Sequence, residues 1–226
     1  MKQAGNPIPQ GPDRNAALAQ YRQRAGIYDL ELALFEPIRR QAIARLALKP
    51  GDVVLDVGCG TGLSLELLRQ GIGAKGKIIG IEQCPEMIER ARERVAQGCW
   101  NNVTLIGSPA ETADIRGRRA DAALFHFTHD ILRRPEAVAH VMQRLKPGAR
   151  VVACGLKWAG GLASGVNLLV LPAALRSMTS LEGMDAPWSR LAGYTGPLDV
   201  QTMLLGGVYV ASGNVPPARD HRRGMR

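Results

Sequence analysis

Apolar positions along this chain follow two different spacings, which predict alternating strands and helices. Short and nearly continuous apolar runs are typical of strands buried on both faces of a sheet. Helix-length segments separate these runs, and such alternation predicts an α/β fold with a parallel sheet covered by helices on both faces. The predicted strands cover residues 53–56, 76–81, 103–106, 121–127 and 149–154, with a final pair at 198–205 and 207–212.

The predicted helices carry apolar residues at near-helical spacing. Pro85 suits the first turn of one of them, because a helix leaves the first N–H groups without partners. Beyond strand five the pattern is looser, and residues 162–178 form an apolar segment that follows a pair of glycines. The predicted helices cover residues 16–24, 30–48, 63–69, 85–97, 135–145 and 188–192.

A glycine-rich turn follows the first strand and is the most informative feature of the chain. Asp56 precedes glycines spaced G-x-G-x-G, and a predicted helix follows at once. This arrangement lets the backbone approach a nucleotide closely and directs the free N–H groups of the helix toward it. Leu63 stands where a dinucleotide-binding turn would have its last glycine. The predicted cofactor contacts in this turn are Gly58, Cys59, Gly60, Thr61 and Gly62.

The string VVLDVGCGTG, residues 53–62, resembles the first motif of the class I S-adenosylmethionine-dependent methyltransferases. The string LKPGARVV before strand five resembles the turn that the family has there. The resemblance implies a Rossmann-like, seven-stranded, mostly parallel sheet with an N-terminal helical cap, and S-adenosylmethionine as the cofactor. Tyr28-Asp29 together with the first motif resembles the branch that methylates quinones, phospholipids and other small molecules.

Further residues are predicted to bind this cofactor. Glu82 ends the second strand, where a carboxylate can accept hydrogen bonds from both ribose hydroxyls. Asp56 can hold the turn or face the cofactor's ammonium group, and both roles stay open. The resemblance places an adenine-reading string after strand three, although Pro109 stands where an acid is usual. The other predicted contacts are Gln83, Met87, Ala110, Glu111 and Phe127.

Two histidines near the end of strand four are the predicted catalytic residues. His126 and His129 have imidazoles suited to removing a proton near neutral pH, and ligands of such sheets bind beyond the carboxyl ends of the strands. A structural role for each histidine stays open. No Asn/Asp-Pro-Pro-aromatic string and no Pro-Cys nucleophile is present, which disfavours nucleic-acid amino-group and cytosine C5 methylation. No acidic cluster indicates a metal site.

Composition and charge limit the kinds of binding partner that the sequence favours. The chain has 226 residues, 46% of them hydrophobic and 22% charged, and a net charge of +9 that is concentrated near both ends. Such charge can indicate nucleic acid, an anionic membrane or a solvated surface, but no aromatic residues alternate with the arginines as base stacking would require. The four cysteines lack metal-ligand spacing, and no leader-like apolar stretch begins the chain. A cytoplasmic location is expected.

The expected organisation is a flexible arm and helical cap at 1–48, a cofactor-binding domain at 49–213 and a basic tail at 214–226. Tyr21 and Tyr28 are predicted to face the apolar segment 162–178 across a pocket for a small hydrophobic or lipid-like acceptor. Exposed leucines in that segment would need cover from protein, acceptor or membrane. An RNA methyltransferase and a non-catalytic cofactor-binding protein stay open as alternatives. A homodimer and peripheral membrane contact also stay open.

Overall fold

A computed structural model describes residues 12–24 and 35–217 of the chain. Within this part, the strands form one sheet in the order β3-β2-β1-β4-β5-β7-β6. The first five strands pair in parallel, whereas β7 pairs antiparallel with both β5 and β6. The seven strands are β1 Val53–Val57, β2 Lys77–Glu82, β3 Val103–Gly107, β4 Ala120–His126, β5 Leu145–Leu156, β6 Asp199–Met203 and β7 Val208–Asn214. The predicted seven-stranded, mostly parallel sheet is confirmed.

Helices connect the strands and cover both faces of the sheet. Each of the first two βα connections crosses from one parallel strand to the next, as parallel pairing requires. The described α-helices are α1 Arg14–Arg24, α2 Glu36–Arg45, α3 Leu65–Ile72, α4 Pro85–Gln97, α5 His129–Leu132, α6 Pro135–Met142, α7 Asn167–Ser177 and α8 Ser189–Thr195. Short 3₁₀ helices cover Gly161–Val166 and Leu204–Gly206.

Two apolar cores, one on each side of the sheet, hold the layers together. On one side, α2, α3 and α7 contribute buried residues such as Ile38, Leu68 and Val170. On the other side, α6 and α8 contribute buried residues such as Val138 and Leu191. All five residues of β1 are buried, because the central strand is covered on both faces.

The strand order reverses between β1 and β4, which are neighbours in the sheet although two strands separate them in sequence. At such a switch point the connections leave in opposite directions, and a crevice opens beyond the carboxyl ends of the strands. The glycine turn after β1, the last residue of β2 and the segment after β4 all meet there. The fold therefore brings the predicted cofactor residues to one place.

Some boundaries differ from the sequence-based predictions. The glycine turn extends further than expected, so α3 begins at Leu65. Strand β5 begins at Leu145, because that residue already pairs with Ala120 ahead of a register shift. The predicted helix 30–48 is seen as Glu36–Arg45, and its first residues lie outside the described part of the chain. The expected strand 198–205 ends at Met203, where the backbone turns.

Candidate cofactor site

A cleft lies beyond the carboxyl ends of β1, β2 and β4 and contains about 720 Å³ of empty space, counting its opening to solvent. Helix α1 contributes Ala17 to its wall. The predicted cofactor residues that line it are Gly58, Gly60, Glu82, Gln83, Met87, Ala110, Glu111 and Phe127. Sequence reasoning therefore located one continuous surface from four separate segments of the chain.

The glycine turn needs glycine for two different reasons. Gly58, Gly60 and Gly62 have φ angles of 71°, 57° and 81°, in the left-handed region that glycine adopts without strain. A Cβ atom on Gly58 would lie 2.5 Å from Cγ2 of Thr128, in the wall of the cleft. A Cβ atom on Gly62 would instead lie 2.7 Å from Cδ1 of Leu65. Gly62 is absent from the cleft lining and permits close packing, so its contact with a cofactor stays a prediction.

Glu82 connects the glycine turn to the segment after β2. Its Oε2 accepts a hydrogen bond of 3.0 Å from the Gly60 N–H, and its Oε1 accepts one of 2.8 Å from the Cys84 N–H. Each carboxylate oxygen keeps acceptor capacity for a further donor from the cleft. Burial raises the pKa of Glu82, while the Cys84 and Gly60 N–H groups oppose that rise. The carboxylate is thus fixed in position at the cleft wall.

A small polar recess adjoins the cleft across Gly58. It is lined by Arg39, Asp56 and His126, together with Cys59 and Thr61 of the turn. Arg39 comes from α2 and was missed by the sequence analysis. The Arg39 side chain is only 4% exposed, and its Nη1 pairs with Glu36. The recess thus gathers an arginine, an acid and an imidazole in a buried place.

Several polar atoms in this recess have no hydrogen-bond partner among the described residues. They are Nε and Nη2 of Arg39, Oδ2 of Asp56 and Nε2 of His126. Buried polar groups are almost always paired in native proteins, and each exception calls for an explanation. A ligand that carries both a negative and a positive group would supply the missing partners. This recess therefore offers the charged and polar partners that the amino-acid part of an amino-acid-bearing cofactor would need.

Asp56 is nearly fully buried, and burial is the main reason that its pKa rises to about 7. The Arg39 guanidinium opposes this rise, and the Glu82 carboxylate adds to it. Burial likewise lowers the pKa of His126 to about 3, with help from Arg39. A neutral imidazole with so low a pKa is a weak base, so His126 is poorly suited to remove a proton.

We expect Asp56→Asn to change the pH dependence of stability in the ligand-free protein. The folded-state pKa of about 7 lies above the ordinary 3.8, so the Asp56 contribution is fully present below about pH 4 and lost by about pH 7. As pH rises from about 4 to about 7, the free energy of unfolding of Asp56→Asn should therefore increase relative to that of wild type, by on the order of 2–4 kcal/mol. Urea unfolding at several pH values measures this. A difference that does not change with pH would contradict the assignment.

Two arginines that sequence reasoning missed hold the predicted adenine-reading segment. Glu111 forms an ion pair with Arg14 of α1, and Nη1 of Arg134 lies 3.8 Å from the same Oε1 atom. Arg134 also donates a 2.6 Å hydrogen bond to the Pro12 carbonyl. These contacts fasten α1 across the cleft beside Ala110. The Glu111 side chain thus has a structural task, and its contact with adenine stays a prediction.

His129 lies at the start of α5 and is absent from the cleft lining. The prediction placed it on a loop facing the methyl group, but its Nε2 lies 3.1 Å from the Glu182 carbonyl oxygen. Burial lowers the pKa of His129, while the hydrogen bond to the Glu182 backbone opposes that fall. Because a carbonyl oxygen can only accept, Nε2 is the donor in this bond. The next residue, Asp130, does line the cleft, and burial raises its pKa. Sequence reasoning missed Asp130.

The predicted acceptor-binding tyrosines fall where the structure gives no side-chain description. Tyr28 lies outside the described residues, and Tyr21 is described only as part of the α1 backbone. Their role stays a prediction. Within residues 12–24 and 35–217, no group of three metal-binding side chains is found. No helix in the same ranges has the length and apolar character needed to cross a membrane.

Comparisons with known proteins agree with this geometry. Residues 54–148 match a family model described as a methyltransferase domain. Aklanonic acid methyltransferase DauC from Streptomyces sp. (strain C5) is 31% identical over 51% of this chain and 52% of its own length. Protein-L-isoaspartate O-methyltransferase 1 from Arabidopsis thaliana is 33% identical over 46% of each chain.

Among solved structures, the N-methyltransferase NodS from Bradyrhizobium japonicum WM9, in complex with S-adenosylhomocysteine, has the same fold. It superimposes with a TM-score of 0.66 at 15% identity, over 89% of this chain and 99% of that one. The chain spans about half, or less, of the length of the curated relatives it matches.

Proposed function

Because the chain belongs to the class I S-adenosylmethionine-dependent methyltransferases, we propose that it methylates a small hydrophobic or lipid-like acceptor. The single observation that carries the cofactor assignment is the buried recess with unpaired atoms on Arg39, Asp56 and His126. S-adenosylmethionine has a carboxylate and an ammonium group at one end, and these are the partners that such atoms lack.

The residues present fit this cofactor along its whole length. Arg39 would hold the carboxylate through Nε and Nη2, and Asp56 would pair with the ammonium group. Glu82 would accept hydrogen bonds from both ribose hydroxyls while it keeps those from the Gly60 and Cys84 N–H groups. The adenine would lie between Met87 and the backbone of Ala110, in the cleft that α1 covers. When bound, the cofactor supplies an electrophilic methyl group.

The protein's own contribution is to position the acceptor and exclude water. Phe127, Thr128 and Ile131 form the cleft wall that continues from β4. Phe127 has a left-handed φ of 55° and lies against Phe35, with 5.0 Å between ring centroids. A backbone conformation that is rare for phenylalanine is often found at functional sites. We infer that this wall aligns the acceptor atom with the methyl group.

A base is needed only for an acceptor that must lose a proton. Asp130 is the better placed candidate, because it lines the cleft and its Oδ2 is held by a 2.8 Å hydrogen bond from the Thr179 hydroxyl. The catalytic roles of His129 and His126 stay predictions. The bond between His129 and the Glu182 carbonyl favours a structural role for that ring.

The hydrophobic character of the acceptor is the finer part of the proposal. The cleft wall at Phe127 supports it, as does the likeness to an aklanonic acid methyltransferase. The net charge of +9 favours an RNA acceptor instead. The likeness to a protein-L-isoaspartate methyltransferase favours a protein carboxyl acceptor.

An acceptor screen with methyl-labelled S-adenosylmethionine separates these alternatives. We expect label transfer to apolar aromatic or lipid-like compounds, with little change in rate as salt rises. Methylation of RNA that falls steeply with salt would contradict the acceptor assignment but keep the cofactor assignment. Transfer to isoaspartyl peptides alone would likewise overturn the acceptor class. Asp130→Asn in the same screen shows whether this carboxylate removes a proton.

A further inference from the structure

The turns that lead into strands β1, β2, β4 and β5 carry a concentration of positive charge. These turns contain eight lysines and arginines against three aspartates. They lie at the amino ends of the parallel strands, opposite the end at which the cofactor cleft opens. We call the surface that they form the basic edge, which consists of residues 49–53, 74–77, 114–121 and 143–146.

Strand pairing brings these four turns into one row. Val53 of β1 pairs with Lys77 of β2. Ala120 of β4 pairs with Leu145 of β5. The Arg118 guanidinium donates a hydrogen bond to a backbone carbonyl of the turn before β1, which joins that turn to the one before β4. Neighbouring strands lie about 4.8 Å apart, so the four turns place their charges within roughly 15 Å.

The aspartates of the basic edge do not neutralise it. Asp121 forms an ion pair with Lys146, and Asp114 forms one with Arg116. Asp52 accepts a hydrogen bond of 2.8 Å from a backbone N–H of its own turn. All three carboxylates are therefore engaged within the edge, and most of its cations are left for other partners.

Four cations of the basic edge are available to a partner outside the chain. In the described ranges, 12–24 and 35–217, their side chains are exposed and take part in no ion pair or hydrogen bond. They come from three of the four turns, so the available charge is spread along the row. These cations are Lys49, Lys75, Lys77 and Arg119.

The described chain also ends beside this edge. The Val215 N–H donates a 2.9 Å hydrogen bond to the Ala149 carbonyl, and the Gly148 N–H donates one of 2.9 Å to the Val215 carbonyl. Pro217 is the last described residue, and the nine residues that follow it include four arginines and one aspartate. A further excess of positive charge in the sequence therefore begins two residues after Val215.

The side chains of the basic edge favour the phosphate backbone of a nucleic acid. Closely spaced cations release the counterions that condense on such a backbone, which supplies affinity without reading a sequence. None of the exposed large apolar side chains of the described residues lies in this edge, so it lacks the groups that insert into a bilayer. It also contains no aromatic residue on which a base could stack, which favours a duplex over a single strand.

We propose that the basic edge binds the phosphate backbone of a nucleic-acid duplex. The cofactor cleft lies at the other end of the strands, and β1 is five residues long, so roughly 17 Å of sheet separates the two sites. A duplex held at this edge lies away from the cleft and is a site of attachment, not the methyl acceptor. The inference therefore does not depend on the proposed acceptor.

Fluorescence anisotropy with short labelled RNA and DNA duplexes tests the proposal. The wild-type chain should bind both duplexes at low salt, with an affinity that falls steeply as salt rises. The combined variant Lys75→Gln, Lys77→Gln, Arg119→Gln should lower the affinity by roughly tenfold or more and reduce the salt slope by about two to three units. All three side chains are exposed, so the variant should fold, which its circular dichroism and melting temperature check.

The combined variant Arg40→Gln, Arg90→Gln, Arg92→Gln is the matched control. It removes the same charge from exposed side chains of α2 and α4, outside the basic edge, and should keep most of the affinity for both duplexes. An equal loss in the two variants would show that net charge alone attracts the duplex, and would overturn the proposal. Absence of wild-type binding at low salt would also overturn it, as would tighter binding of phosphatidylglycerol vesicles or polyglutamate than of either duplex.

Discussion

Glu82→Ala is expected to weaken the binding of S-adenosylhomocysteine by about 1.5–3 kcal/mol, the usual worth of hydrogen bonds to a charged group. The carboxylate lines the cleft at the end of β2 and keeps acceptor capacity beyond its bonds to Gly60 and Cys84. A ribose diol would use that capacity. Because 5′-methylthioadenosine contains the same ribose, its affinity should fall by a similar amount. Isothermal titration calorimetry measures both ligands.

The control for this variant must separate ribose contact from damage to the turn. Glu82→Gln keeps the size of the side chain, and Glu89→Ala removes an exposed carboxylate of α4 that pairs only with Arg92 in the described structure. We expect the amide variant to be impaired and Glu89→Ala to bind normally. Unchanged affinity in a folded Glu82→Ala protein would refute the ribose assignment.

Arg39→Met is expected to lower the affinity for S-adenosylhomocysteine roughly 10- to 150-fold and to leave the affinity for 5′-methylthioadenosine nearly unchanged. The second ligand lacks the amino-acid part, so it has no carboxylate for the unpaired Nε and Nη2 atoms to bind. Charge-assisted hydrogen bonds to a buried guanidinium contribute about 1.5–3 kcal/mol, which corresponds to this loss. Methionine fills much of the same volume, so α2 should remain packed.

The neighbouring Arg40→Met is a closely matched control. Arg40 also pairs with Glu36, with 3.0 Å between Nε and Oε1, but its side chain is 64% exposed. The Arg40→Met protein should bind both ligands with the affinity of wild type. If Arg39→Met lowers the affinity for the two ligands equally, the recess holds something other than the carboxylate of the cofactor.

The core of the site could be predicted because it is local in sequence. Residues 53–62 combine a strand, an acid and three glycines within ten positions, and Glu82 follows at the end of the next strand. Parallel strands bring their carboxyl ends to one edge, so these residues meet once the sheet forms. Gln83, Met87 and Phe127 line the cleft at the same edge, and their contact with a cofactor stays a prediction.

Arg39 could not be found from any motif, because α2 precedes the glycine turn and is brought to it only by packing. One signal was available. Ile38 and Ile43 are buried on the face that packs on the sheet, and Arg39 lies on the same face, four residues before Ile43. A charged residue on an apolar helix face needs a partner. Arg39 was hidden among the 29 basic residues of the chain, of which it is one.

The assignment of His129 shows a second limit of sequence reasoning. Its distance from β4 suggested a loop beside the reacting group, but a short helix begins there and the ring hydrogen-bonds the Glu182 carbonyl. Glu182 lies 53 residues further along the chain, beyond α7. Because periodicity describes neighbours in sequence, it could not show which of His129 and Asp130 lines the cleft.

Titration of the wild-type protein with S-adenosylhomocysteine and with NAD, under identical conditions, tests the central claim most directly. The spacing of the glycine turn, the free acceptor capacity at Glu82 and the unpaired Arg39 atoms predict about micromolar affinity for S-adenosylhomocysteine and far weaker binding of NAD. Tighter binding of NAD than of S-adenosylhomocysteine would contradict the account.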